Sequence, residues 1–266
     1  MIELLRVVVS PGVELEYARR KGSGHKLVFV HGYADSWYSF KGVLDALPPQ
    51  FDAYSVTLSG HGGSTKTKAD YSIMRYAGDV SDIIRTLDIG RATIVGHSMG
   101  TFVAQELALS HPACVDRLVL IASAVTADNA VLRDLYGSTL SLTDPVPRAF
   151  AEGFQSGICV NPLGPGMTLD SIVDESAKLP AHVWRSALAG LIKYRPATFD
   201  PAALERLEAP TLVLGGEMDA IFPASDQRLL AQSLSNAQIH LDPRTGHSLN
   251  WEFPQDTAAL VANFTV

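Results

Sequence analysis

Four short, nearly uninterrupted apolar runs constrain this chain more than any other feature: Lys26-Leu27-Val28-Phe29-Val30, Ala92-Thr93-Ile94-Val95, Arg117-Leu118-Val119-Leu120-Ile121-Ala122 and Thr211-Leu212-Val213-Leu214-Gly215. A strand with one wet face alternates polar and apolar residues. Runs that do not alternate must be buried on both faces, as in the interior of a parallel sheet. Helical patterns separate them: residues 37 to 47, stopped by Pro48-Pro49, then a segment capped by Ser72 and running to Leu87, then Thr101 to Leu109. Strand–helix alternation at this spacing predicts an α/β protein with a parallel, doubly wound sheet and right-handed crossovers. A chain of 266 residues with 47% hydrophobic content is long and apolar enough for one large domain of this kind.

Ahead of the parallel pattern, residues 4–9 and 13–19 flank the turn signal Ser10-Pro11-Gly12 and read as an antiparallel hairpin. Phe51 to Leu58 reads as a further strand opening into the loop Ser59-Gly60-His61-Gly62-Gly63-Ser64. From Ser123 to about Pro210 the alternation stops, and amphipathic helices are expected near 129–136, 145–155, 168–178 and 181–194. Pro145 behind Asp144 reads as the first residue of the second of these helices. So long a stretch without a strand is too long for a loop and reads as a helical insertion. The expected division is a core of residues 1–123 and 204–266, with an insertion at 124–203. The alternation then resumes with a helix near 224–234, a strand at 237–241 and a terminal helix from about Gln255.

The net charge of −7, with acidic and basic residues interspersed, argues against a nucleic-acid partner. Cys114 and Cys159 are far apart and form no metal-ligand cluster, so both are expected as buried, reduced thiols. No His-Glu-x-x-His motif is present, and no metal or cofactor is expected. The amino terminus has no basic stretch leading into an apolar one, and no run approaches the ~20 residues of a membrane span. A soluble cytoplasmic protein, without a membrane partner, is the expectation; the sequence does not speak to its oligomeric state.

Gly96-His97-Ser98-Met99-Gly100 lies between the Ala92–Val95 strand and the helix that follows it. A serine with glycines at i−2 and i+2 on a strand-to-helix turn has the form of a nucleophile elbow. A serine hydroxyl needs a base within hydrogen-bond reach, and the base needs an orienting acid. Ligands of such sheets bind at the carboxyl ends of the strands, so the partners belong in loops that follow strands. His247 in Arg244-Thr245-Gly246-His247-Ser248 follows the last strand, whereas His111, His182 and His240 lie at a helix end, in the insertion and within a strand. Asp219 follows the strand ending at Gly215, with Glu217 as the alternative acid. The assignment is Ser98 as nucleophile, His247 as base and Asp219 as acid. The oxyanion donors are expected to be the backbone N–H groups of Met99, at a helix N-terminus, and Tyr33, in the loop after Val30. His31 reads as a brace of that loop.

With these pieces in place the chain resembles the α/β-hydrolase fold superfamily, and specifically its serine esterase and enol-lactonase-like members. The resemblance rests on His31-Gly32-Tyr33, Ser59-Gly60-His61-Gly62-Gly63-Ser64, Gly96 to Gly100, Gly216-Glu217-Met218-Asp219 with Pro223, and Gly246-His247 with Trp251-Glu252-Phe253-Pro254. One departure is Thr57-Leu58-Ser59, where many relatives carry an aspartate before the Gly-x-Gly loop; it bears on bracing. The resemblance implies a mostly parallel eight-stranded sheet flanked by helices, with a helical cap inserted after strand 6. Serine at 98 separates the chain from relatives with aspartate or cysteine nucleophiles. The implied reaction is hydrolysis of a small-to-medium, largely apolar ester or lactone through an acyl-enzyme. Alternatives are C–C bond hydrolysis or perhydrolysis on the same triad, or a slow-turnover small-ligand sensor. Pocket residues are expected among Trp37, Phe150, Phe154, Trp184, Leu188, Ile221, Phe222 and Leu249.

Overall fold

The structure, a computed structural model, describes residues 1–68, 71–195 and 202–266. It opens with the hairpin β1 (Ile2–Ser10) and β2 (Val13–Arg20), then β3 (Lys26–Val30), a 3-10 turn (Trp37–Phe40), α1 (Lys41–Ala46), β4 (Asp52–Val56) and α2 (Ile73–Thr86). The centre of the sheet follows as β5 (Ala92–His97), α3 (Met99–Ser110) and β6 (Val115–Ile121). Helices α4 (Ala130–Thr139), α5 (Arg148–Gly157), α6 (Leu169–Ala177) and α7 (Ala181–Lys193) come next. The chain finishes with α8 (Ala202–Glu205), β7 (Thr211–Gly216), α9 (Ala224–Ser233), β8 (Ala237–Asp242), α10 (Leu249–Glu252) and α11 (Pro254–Thr265).

The strands form one eight-stranded sheet in the order β1-β2-β4-β3-β5-β6-β7-β8. Pairings of β1 with β2 and β2 with β4 are antiparallel; all others are parallel. The absence of alternation in the central runs has its explanation here. Val28 and Val30 of β3 join one core layer, with Tyr76 and Val80 of α2 and Phe102 of α3. Their neighbours Leu27 and Phe29 join the opposite layer, with Val43 and Leu44 of α1 and Val261 of α11. Every residue of β5 and β7 is buried, because each strand is covered on both faces. Ser72 caps α2 as expected, its hydroxyl accepting the Arg75 N–H at 3.2 Å.

Helices α4–α7, between β6 and β7, start within a few residues of expectation, with one correction. Pro145 does not open α5; that helix begins at Arg148 behind Pro147. Asp144 caps another helix instead, its Oδ1 accepting the Ala181 N–H at the start of α7 at 2.6 Å. A cap need not be adjacent in sequence, and the local pattern could not reveal one supplied from 37 residues away. The expected division at 203/204 falls within α8 (Ala202–Glu205), and residues 196–201 ahead of it lie outside the described residues. Among the described residues no helix is long and apolar enough to cross a membrane.

Candidate active site

Ser98 sits where β5 becomes α3, at the carboxyl edge of the sheet's middle. Its backbone has φ +51° and ψ −119°, a combination that side-chain-bearing residues rarely hold and that costs on the order of 1–3 kcal/mol. The neighbours hold it there. The Ser98 N–H donates to Ile121 O of β6 at 2.9 Å, and the Ser98 carbonyl accepts the Thr101 N–H at 2.9 Å and the Thr101 hydroxyl at 2.7 Å. Gly100 is required by proximity: a Cβ there would run into the Val30 carbonyl oxygen and stand 2.7 Å from that of His31. The elbow therefore presses directly against the end of β3, where the other expected donor loop begins.

His247 and Asp219 meet in a pair. The imidazole Nδ1–H donates to the carboxylate at 3.0 Å to Oδ2 and 3.1 Å to Oδ1, which leaves Nε2 as the acceptor nitrogen. Oδ1 also accepts the N–H groups of Ile221 at 2.8 Å and Phe222 at 3.0 Å. Burial works against ionisation of Asp219, but the imidazole and these two N–H donors outweigh it and hold the carboxyl below its ordinary range. Glu217, the alternative acid, points elsewhere and pairs with Arg228. The two loops are locked together: Met218 N–H donates to Thr245 O at 3.1 Å. At Gly216 any Cβ would collide with the carbonyls of Thr245 and Gly246, so only glycine lets the loops approach this closely.

His97 is a site residue that the motif alone did not single out. Its ring Nε2–H donates to the His247 carbonyl at 3.0 Å, tying the residue before Ser98 to the loop bearing the imidazole. Burial, reinforced by the neighbouring His247, pushes its own titration down to about 3, so it stays neutral. A polar residue ending a fully buried strand was the signal for it. Glu252 does similar work below: it accepts the Val160 N–H, the Asn161 amide and the Thr245 hydroxyl, joining the inserted segment to the His247 loop.

The loop after β3 is braced by His31, whose Nδ1–H donates to Gly32 O at 2.7 Å while Nε2 accepts the Leu58 N–H at 3.0 Å. Among the described residues no acceptor faces the backbone N–H of Tyr33 or of Met99. Two N–H groups left open beside a serine are the raw material of an oxyanion site. The inserted helices grip this loop from outside. Tyr33 OH donates to Trp184 O of α7 at 2.7 Å, and the Ala34 carbonyl accepts Gln155 Nε2 of α5 at 3.2 Å and the Ser176 hydroxyl of α6 at 2.7 Å. Ala34 itself is held at φ +58°. Thr57 and Ser59 supply bracing of their own: Thr57 Oγ1 accepts the Trp37 N–H, and the Ser59 hydroxyl donates to Asp79.

Ser98, His247, Tyr33 and His97 line one narrow cavity of about 20 Å³, room for about one water. Of the side chains expected in the pocket, Phe154 and Ile221 line it. Trp37, Phe150, Trp184, Leu188, Phe222 and Leu249 do not. Trp184 is fully buried between Tyr33, Phe150 and Phe154, with ring centroids at 5.4, 5.3 and 5.8 Å. Phe222 packs on Phe102 and, tilted, against the ring of His247, and Leu249 and Trp37 belong to the layer around α1 and α11. Large apolar side chains gain most by burial against one another, and Trp184, Phe222 and Leu249 are spent in that way. The walls that were missed include Leu132, Leu191 and Trp251 and two polar residues, Asp35 and Gln155. Burial pushes the Asp35 carboxyl up to about 7, against the Ser39 hydroxyl and Ser36 N–H, while Glu175 adds to the rise. Cys114 and Cys159 are free and only half-buried, and burial raises the Cys159 thiol to about 11.

The family model described as alpha/beta hydrolase fold matches residues 26–254. A monoacylglycerol lipase of Homo sapiens is 27% identical over 267 residues, covering 93% of this chain and 78% of its own. An uncharacterised protein of Mycobacterium tuberculosis is 29% identical over 260 residues, covering 91% and 75% respectively. Among solved structures, a hydrolase from Pseudomonas aeruginosa superposes with a TM-score of 0.84 at 26% identity, over 98% of each chain. An enol-lactonase from Burkholderia xenovorans shares the fold with a TM-score of 0.83 at 22% identity, over 97% of this chain and 98% of its own.

Proposed function

The chain belongs to the alpha/beta hydrolase fold family, and from that premise we propose that it is a serine hydrolase that cleaves a carboxylic ester or lactone through an acyl-enzyme. The observation that carries this reading is the Asp219–His247 pair at 3.0 Å on the wall of the cavity that the strained Ser98 also lines. On this reading His247 Nε2 takes the Ser98 proton as Oγ attacks the substrate carbonyl carbon. Asp219 fixes the tautomer and stabilises the imidazolium that results. The N–H groups of Tyr33 and Met99 take the oxyanion, with α3 adding the positive end of its dipole. Collapse of the tetrahedral intermediate expels the alkoxide, which receives its proton from His247, and a water activated by the same imidazole then hydrolyses the acyl-serine. Helices α4–α7 serve as the cap that shapes the acyl and alcohol pockets.

The test is turnover of p-nitrophenyl acetate and butyrate by the wild type and by Ser98→Ala, with mass spectrometry after a fluorophosphonate probe. Hydrolysis that depends on Ser98 and an adduct on that residue support the reading. Absence of turnover together with saturable binding of a small ligand would transfer the site to a sensor, and an adduct elsewhere would remove the nucleophile assignment.

A further inference from the structure

Gln155 lies on α5 with its side chain inside the protein, 1% exposed, and it lines the Ser98 cavity. Its amide orientation follows from its partners. Nε2 donates to the Ala34 carbonyl at 3.2 Å and reaches the Ser176 hydroxyl oxygen at 2.6 Å. A carbonyl oxygen can only accept, so the nitrogen must face Ala34 and Oε1 must face away. Oε1 is buried and has no hydrogen-bond partner. Asp35, the residue following Ala34, lines the same cavity, and its Oδ1 accepts the Ser36 N–H at 2.9 Å. One wall of a cavity that Phe154, Ile158, Ile221 and Leu191 also line thus offers acceptor oxygens. A buried acceptor without a partner is costly to keep, and a ligand that supplies the donor relieves that cost when it binds.

We propose that Gln155 Oε1, with Asp35 beside it, is a specificity site for a hydrogen-bond donor on the substrate. The preferred substrate is then an ester or lactone carrying a hydroxyl or N–H group close to its scissile carbonyl, and a purely hydrocarbon ester is disfavoured. Sites built to receive a hydrogen bond reject analogues that lack the donor more strongly than apolar pockets reject a missing methylene. The proposal rests on the hydrolase reading above, and its test separates the two.

The experiment compares matched pairs differing by hydroxyl for methyl: 2-hydroxyethyl butyrate against propyl butyrate for the alcohol limb, and p-nitrophenyl 3-hydroxybutyrate against p-nitrophenyl 3-methylbutyrate for the acyl limb. In at least one pair the hydroxyl member is expected to have the higher kcat/KM, by about tenfold or more. Gln155→Met, which keeps the length and loses the acceptor, should bring that ratio close to one. Losing the amide's grip on Ala34 slows both members alike, so the ratio isolates the acceptor. Should Gln155→Met not fold, Gln155→Asn withdraws the same amide by one carbon and is expected to lower the ratio too, and the wild-type ratio needs no variant. Ser98-dependent hydrolysis with no preference in either pair overturns the proposal and assigns Oε1 to a resident water. So does a preference that survives in Gln155→Met. No hydrolysis of any of the four esters and no Ser98 adduct would instead sink the hydrolase reading itself.

Discussion

Asp35→Asn is the perturbation whose consequence follows most directly from the structure. Asp35 is 2% exposed, and burial raises its carboxyl from the ordinary 3.8 to about 7, with Glu175 reinforcing the rise and the Ser39 hydroxyl and Ser36 N–H opposing it. The other titratable groups around it are His97 and His247 on the cavity wall and Cys159, whose thiol senses Asp35. A carboxyl with a raised folded value holds its proton more tightly folded than unfolded. Its contribution to stability therefore falls as pH climbs from 3.8 to about 7, then stays level. Within that window the loss is about 1.4 kcal/mol per pH unit, so roughly 2–3 kcal/mol between pH 5 and pH 8. Asparagine keeps the shape and an acceptor for Ser36 but has no proton to lose. Relative to wild type, the variant should gain about 2–3 kcal/mol between those two pH values, or about 4–10 °C in Tm for a chain of this size. Thermal or urea melts of both proteins at pH 5 and pH 8 measure this difference of differences, in which the remaining titrations cancel. A stability difference that is the same at both pH values refutes the reasoning. A swing of opposite sign would mean that Ser39 and Ser36 overcome burial and the carboxylate is native.

Asp219→Asn leaves the loop's packing in place but loses the carboxylate that fixes the His247 tautomer. Turnover should fall roughly 10³–10⁴-fold with little change in Tm, measured by p-nitrophenyl butyrate hydrolysis and calorimetry; near-normal rates would remove Asp219 from the proposed mechanism. Gly100→Ala drives a methyl into the Val30 carbonyl, and a loss of about 1–3 kcal/mol in urea unfolding is expected, with slowed fluorophosphonate labelling of Ser98. Unchanged labelling would show that the elbow tolerates the displacement.

The fold was legible because its signal is physical and local. A run such as Leu27-Val28-Phe29-Val30 has apolar residues of both parities, and each parity found its own layer in the two-sided core. The strand ends then placed Ser98, Asp219 and His247 in loops along one edge, and the structure brings Asp219 and His247 within hydrogen-bond distance. The pocket was not legible, because lining a cavity is a property of packing and leaves no periodic trace. Trp184 and Phe150 read as pocket walls but are mutual packing partners. Gln155, a polar residue at the end of an expected helix, is buried because α5 turns it toward the loop after β3. Asp144 shows the same limit: its partner, Ala181, is near only in space.

The grip of α5, α6 and α7 on Tyr33 and Ala34 has a consequence for timing. A cavity of about 20 Å³ must widen before any ester reaches Ser98, and α5 and α7, which border it, also hold the proposed donor loop. On the proposed function, a shift of α5 or α7 that widens the cavity also pulls on Tyr33 and Ala34, so that admitting substrate and placing the proposed oxyanion donors are coupled.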